Sequence, residues 1–160
     1  MAIPYLDLTA QYKRIQAGLE PKLLKAMASA QYILGPEVAQ CEKELADYTG
    51  VPHAYTVANG TIALLMALQA IDVQPGDEVI TTSFSFFATA EVISILGAKP
   101  VFVDIDEKTY NIDINKIEEK INSKTKAIMP VSLYGQIADM DEINAIAKKH
   151  KLYVIEDAAQ

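Results

Sequence analysis

Two histidines and one cysteine in 160 residues leave little material for soft-metal or thiol chemistry. His53 and His150 lie far apart with no ligand pattern around them, which excludes a histidine-rich metal site and leaves no metal site assigned. Cys41 has no partner for an internal disulfide and no nearby histidine to activate it, so it reads as a packing residue in a helical pattern. Positive charge is also scarce. Fourteen basic residues against 21 acidic ones give a formal charge of −7 and a pI near 4.8, and the longest basic run is Lys148-Lys149-His150-Lys151. That balance argues against a nucleic acid or an anionic membrane surface as partner. No apolar run approaches the ~20 residues of a spanning helix. The stretch Met1 to Asp7 lacks the basic region and apolar core of a signal peptide. The expectation is a soluble cytoplasmic protein, without repeats, low-complexity tracts or linkers.

What is abundant is apolar side chain, 51% of the chain against 22% charged, which suits a globular domain with a real core. Ile15, Leu19, Leu23, Leu24 and Met27 recur at helical spacing between Leu8 and Ser29, with Pro21 predicted to kink the helix or start a new first turn. Gly35-Pro36 opens a second predicted helix through Tyr48, stopped by Gly50, with Val38, Cys41, Leu45 and Tyr48 as its buried stripe. Residues 1–50 therefore read as an amino-terminal helical arm, and residues 51–160 as an α/β domain.

In that domain the spacing predicts strands at His53–Val57, Glu78–Thr82, Lys99–Val103, Lys126–Leu133 and Tyr153–Ile155. Helices are predicted at Gly60–Ile71, Phe86–Leu96, Ile114–Ile121 and Asp139–His150, the last with Ile143, Ile146 and Ala147 facing inward. Apolar strands alternating with helices predict a three-layer α/β/α fold around a mostly parallel sheet covered on both faces.

Ligands in such sheets sit beyond the carboxyl ends of the strands. Three polar clusters fall there: Asn59-Gly60-Thr61, Ser83 to Phe87, and Glu156 to Gln160. The first is either an ordinary capped turn or a phosphate cup, because the first N–H groups of a helix are unpaired and lie at the positive end of its dipole. Asp157 is a helix cap, a magnesium ligand, a structural acid, or a carboxylate at the rim of a pocket. Phe84, Phe86 and Phe87 supply either core or a ring-stacking face. A phosphate cup at one strand end and a carboxylate at another suit a cofactor with a phosphate at one end and a basic ring nitrogen at the other. Pyridoxal 5′-phosphate is such a molecule.

Asn59-Gly60-Thr61-Ile62-Ala63-Leu64, the run Pro75 to Thr81, the run Gly97 to Asp104, Thr125 to Ile128 and Ile155 to Gln160 together resemble, in order and spacing, the DegT/DnrJ/StrS family of sugar-nucleotide aminotransferases. Tyr32 to Pro36 and Leu133 to Gln136 fit as well, so the resemblance covers practically the whole chain. It implies the large domain of an aspartate aminotransferase-like, fold type I transferase with pyridoxal 5′-phosphate as cofactor. It further implies that Gly60 and Thr61 hold the cofactor phosphate, Phe86 stacks on the ring, Asp157 pairs with the ring nitrogen, Gln160 lies near the ring hydroxyl, and Ser132 lies close by. Thr82 stands where the family usually has proline.

The resemblance also implies a nucleotide-sugar substrate, an amino-acid donor such as glutamate, and a homodimer. The runs Tyr32 to Pro36 and Ser132 to Gln136 look most like family members that aminate UDP-linked N-acetylated keto-sugars, keto-hexuronates included, for bacterial surface polysaccharides. One departure is serious. The family carries its cofactor-linking lysine a couple of dozen positions beyond the Asp157 motif, and no lysine here matches that position. The chain thus looks like the amino-terminal part of such an enzyme, with an incomplete large domain, unable to transaminate alone. Two other readings stand beside this one: a sugar dehydratase of the same family, and a non-enzymatic phosphate-binding α/β module with Glu156 and Asp157 on magnesium.

Overall fold

The computed structural model describes residues 5–160; Met1 to Pro4, the start of the expected arm, lie outside the described residues. The chain divides into two compact units, one running to Thr56 and the other Val57–Gln160.

The first unit holds two helices, α1 (Leu8–Ser29) and α2 (Pro36–Thr49). Asp7 caps α1 by accepting from the Ala10 amide at 2.9 Å. α1 is one continuous helix through Pro21, so a new first turn does not start there. Proline removes the donor for the Ala17 carbonyl, and Ala17 is exposed, so water can replace the lost bond. α2 starts with Pro36 at its first turn and ends at Gly50, whose φ of 73° is the left-handed stop that glycine adopts without strain. The expected buried stripe of α2 is not buried. Val38 is half-buried and Cys41, Leu45 and Tyr48 are exposed, because no element of the unit covers that face; Cys41 is not a packing residue. His53–Val57 is not a strand either. The Thr56 amide and hydroxyl both donate to Glu42 Oε1 at 2.9 Å, so a side chain takes the backbone donor that a ladder would use.

The second unit is built on four parallel strands, β1 (Glu78–Thr82), β2 (Lys99–Val103), β3 (Thr125–Ile128) and β4 (Tyr153–Val154), in the order β2-β1-β3-β4. β1 is central and all five of its residues are buried. Three helices complete the unit: α3 (Gly60–Ala70), α4 (Ala88–Ile95) and α5 (Met140–His150). Successive strand side chains point to opposite faces, and the core divides accordingly. Val79 and Ala127 join Leu68 of α3 and Val92 and Ile93 of α4 in one cluster, while Ile80 and Ile128 join Ile117 and α5 residues Ile143 and Ala147 in the other. This is the expected three-layer α/β/α arrangement. Ile146 packs half-buried against the second cluster.

Two predicted elements are shorter than expected. Ile114–Ile121 forms two 3-10 turns, Ile114–Lys116 and Glu118–Lys120, rather than an α-helix. The Lys126–Leu133 strand stops at Ile128, because Pro130 has no N–H for the ladder. Pairing resumes as one bridge, Val131 to Asp157, with the Asp157 amide on the Pro130 carbonyl at 2.9 Å and the Ser132 amide on the Asp157 carbonyl at 3.0 Å. Among the described residues no helix is long and apolar enough to cross a membrane.

Candidate active site

Beyond the carboxyl ends of β1, β3 and β4 lies a cleft of about 210 Å³. Its wall on one side is the start of α3. Asn59 is extended at φ −169°, and its Oδ1 accepts from the Ile62 amide at 2.9 Å, fixing the first turn. Gly60 and Thr61 follow on the cleft wall. Their amides are among the first of the helix and have no intrahelical acceptor, so they are aimed out of the helix end where its dipole is positive. A Cβ built on Gly60 would meet nothing within 4 Å, so the approach to that backbone is open.

Asp157 also lines the cleft, 7% exposed and held by two bonds. Its Oδ2 accepts from the Thr89 hydroxyl at 2.9 Å and its Oδ1 from the Ala159 amide at 3.3 Å. Phe86, 73% exposed, lines the same cleft, and the Thr82 hydroxyl accepts from the Phe84 amide at 3.2 Å at the turn leading to it. Phe84, Phe86 and Phe87 are all at least 43% exposed, so this run is not core.

Gln160 also lines the cleft. Its Oε1 accepts from the Tyr134 amide at 2.8 Å, and since a backbone N–H can only donate, the side-chain amide nitrogen keeps both hydrogens for other partners. The cleft therefore brings together Gly60, Thr61, Phe86, Asp157 and Gln160 and leaves out Ser132. The Ser132 hydroxyl is buried, donates to Glu156 and accepts from the Ala138 amide at 3.4 Å. Glu156 and Asp157, as strand neighbours, diverge: one carboxylate meets Ser132 and the other Thr89. Among the described residues no group of three or more histidine, cysteine or carboxylate side chains converges on a point.

A second cleft of about 330 Å³ adjoins the first and shares Ser85, Phe86 and Gln160 with it. Tyr134 lines it in a left-handed conformation, φ 57°, with its ring against Tyr110 at 6.2 Å, and Tyr110 in turn lies 5.6 Å from Phe84. Asn111, 4% exposed, holds this loop by accepting from the Leu133 amide and donating to the Gln136 carbonyl, both at 3.1 Å. Sequence reasoning passed over Asn111 and Thr89. Asn111 sits in an irregular loop and carries no local signal. Thr89 did carry one, a hydroxyl four positions after Ser85 beside the apolar residues Ala88, Val92 and Ile93 of α4.

The chain matches the DegT/DnrJ/EryC1/StrS aminotransferase family over residues 13–160. It belongs to that family. A UDP-2-acetamido-2-deoxy-3-oxo-D-glucuronate aminotransferase of Pseudomonas aeruginosa is 52% identical over 158 residues, which are 99% of this chain and 44% of that protein. A dTDP-3-amino-3,6-dideoxy-alpha-D-galactopyranose transaminase of Aneurinibacillus thermoaerophilus is 49% identical over the same shares of the two chains. The crystal structure of NtdA from Bacillus subtilis with bound cofactor PMP superposes with a TM-score of 0.90 at 37% identity, covering 99% of this chain and 37% of that one. The chain thus spans less than half the length of the curated relatives it matches.

The cofactor of this family is pyridoxal 5′-phosphate. The cleft fits it by its chemistry: open backbone amides at a helix start for a phosphate, an exposed phenyl ring, and a hydrogen-bonded carboxylate in the same lining. No lysine is among the residues lining the cleft.

Proposed function

We propose that this chain is the cofactor-holding part of an aminotransferase that passes an amino group from glutamate to a nucleotide-linked keto-sugar. The observation that carries the reading is the single cleft lined by both Asp157 and the start of α3. UDP is the nucleotide we assign, supported by the 52% identity to a UDP-linked 3-oxo-glucuronate aminotransferase. The product serves bacterial surface polysaccharide or amino-sugar synthesis, and the protein works in the cytoplasm.

When bound, the cofactor supplies a ring that withdraws electrons from the substrate carbon. The residues of this chain hold it in the state that does so. The amides of Gly60 and Thr61, with the Thr61 hydroxyl, anchor the phosphate at the positive helix end. Asp157 keeps a proton on the ring nitrogen, because a nearby negative charge favours the protonated base. Phe86 would pack against the ring, and the Gln160 amide nitrogen, left free to donate by the Tyr134 bond, would serve the ring hydroxyl. The lysine that moves the proton at the substrate carbon is not supplied by this chain's cleft, so residues 1–160 alone bind cofactor without completing the transfer. A homodimer belongs to the same reading. Leu23, Leu24 and Met27 of α1 and Ile33 and Leu34 after it are each more than half exposed, apolar area that a second copy would cover.

The test is to mix the full-length protein, loaded with cofactor, with glutamate and follow the visible absorption of the bound cofactor as it converts to the amine form. UDP- and dTDP-linked keto-sugars are then added in turn, and the UDP sugar is expected to restore the starting spectrum faster. If no amino donor changes the spectrum, transamination is wrong and the dehydratase reading takes its place.

A further inference from the structure

Thr89, 1% exposed, is the polar member of the buried residues of α4, beside Ala88, Val92 and Ile93, and it does not line the cleft itself. Its oxygen lies 2.9 Å from Asp157 Oδ2 and 3.2 Å from Ser85 Oγ. The proton order along this chain follows from the chemistry of the groups. An ionised carboxylate only accepts, and a threonine hydroxyl has one hydrogen, so that hydrogen goes to Asp157. Ser85 must then donate to Thr89. The result is a directed chain from Ser85, which lines both clefts, through Thr89 to the carboxylate.

The terminal torsion of an aspartate is soft and does not by itself fix the plane of the carboxylate. Two bonds restrain it here, and that from the Ala159 amide is long at 3.3 Å, so the Thr89 bond at 2.9 Å is the tighter of the two. We propose that Thr89 is a positioning residue: with its own donor supplied by Ser85, it locks the Asp157 carboxylate in the orientation that faces the cofactor ring nitrogen. This rests on the reading of Asp157 as the partner of that nitrogen. A carboxylate held in advance forfeits less order when the ring arrives, and the gain appears as affinity and as a firmly protonated nitrogen.

Thr89→Ala and Thr89→Ser in the full-length protein both delete the methyl group and differ only in the hydroxyl. Each apo protein is first checked for folding by its far-ultraviolet spectrum and thermal midpoint. Cofactor dissociation constants are then measured by titration, and protonation of the ring nitrogen by 15N resonance of labelled cofactor against pH. T89S is expected within about threefold of the unsubstituted protein, and T89A about tenfold or more weaker than T89S, as loss of a hydrogen bond to a charged group implies. The ring nitrogen is expected to lose its proton at lower pH in T89A than in T89S.

Asp157→Asn is the control that separates the two levels. If it weakens binding while T89A and T89S behave alike, the positioning role is wrong and the reading of Asp157 stands. If Asp157→Asn holds cofactor and ring proton as the unsubstituted protein does, both fall. Should T89A fail to fold, a crystal structure of the unsubstituted holoprotein decides. Thr89 Oγ within hydrogen-bond distance of Asp157 Oδ2 supports the proposal, and an intervening water or a turned-away hydroxyl overturns it.

Discussion

A carboxylate beside a pyridine nitrogen acts through its charge, and an isosteric amide removes the charge while keeping the shape. In Asp157→Asn the amide oxygen still accepts from the Thr89 hydroxyl while the amide nitrogen forfeits the long Ala159 bond, so the domain is expected to fold with only a small drop in thermal midpoint. Losing several pKa units of support for the ring proton costs on the order of a few kcal/mol, hence a rate loss of about 10²-fold or more in the half-reaction with glutamate. Single-turnover spectroscopy on the full-length protein measures it, and a near-normal rate would remove Asp157 from its role. Gly60→Ala separates folding from binding in the opposite sense. Nothing lies within 4 Å of the added methyl, and alanine suits a helix better than glycine by roughly 1 kcal/mol, so stability is expected to hold or rise slightly. Cofactor affinity is expected to fall because the methyl crowds the phosphate approach. An alanine variant that binds cofactor as tightly as glycine would show that the phosphate does not sit against this turn.

Strands and helices with regular apolar patterns were legible in the sequence, and the elements that failed did so for local reasons. β1 and β2 match their predicted limits, Val79-Ile80 and Val101-Phe102-Val103 marking each strand and Pro100 falling near the start of β2, where a missing donor interrupts least. β3 fell short at Pro130, a breaker visible in the sequence but outweighed by the apolar residues around it. His53–Val57 has strand-like composition, yet the Glu42 carboxylate, 14 residues earlier than Thr56, captures its donor, and no local pattern reports such a long-range partner. A still longer separation hid the role of Thr89, since its meaning depends on Asp157 68 positions away. Asp157 stood out because it falls just past β4, where a parallel sheet concentrates ligands, whereas the Asn59-Gly60-Thr61 turn follows no strand and stood out by its helix-start chemistry alone.

At the other end of the sheet, Glu78 joins elements by charge. Its Oε1 meets Lys99 of the neighbouring strand at 3.2 Å and its Oε2 accepts from Asn122 at 2.7 Å. The Asn122 amide first, and the Lys99 ammonium second, hold its carboxyl below the usual carboxylate range against the opposing push of desolvation. A carboxyl lowered on folding contributes stability that is fully present above its unfolded value of about 4.3 and is lost as pH falls through the folded value. Glu78→Gln is therefore expected to be less stable at neutral pH and to lose part of this acid-side slope. Urea denaturation across a pH series measures both, and an unchanged slope would mean that the pair contributes nothing.

For the whole molecule, burial is unevenly shared between the two units. Neither α1 nor α2 contains a buried residue, whereas Val57–Gln160 holds the four strands and both apolar clusters. Helices in proteins draw most of their stability from packing an apolar face rather than from propensity. A peptide of residues 5–56 is accordingly expected to melt broadly and without cooperativity, and residues 57–160 to melt in a sigmoidal transition, both followed by circular dichroism. A sharp transition in the shorter piece would contradict the uneven burial.

The place of β1 in the strand order has a consequence in time. β1 is the first strand synthesised yet lies in the middle, with β2 on one edge and the later β3 on the other. On the ribosome the β1–β2 pair can form early, but the second edge of β1 stays open until Ile128 has emerged. During that interval a nascent chain presents Val79 and Ile80, both fully buried in the finished fold, beside a row of unpaired backbone groups that can template pairing with other chains. Ribosome-stalled chains of increasing length, probed by brief proteolysis, are expected to gain protection around β1 in two steps, the larger when β3 clears the exit tunnel. Of the two interior strands among the four described, β1 thus has the longer wait between its own synthesis and pairing on both edges, and the growing chain carries that open edge from its second strand to its third.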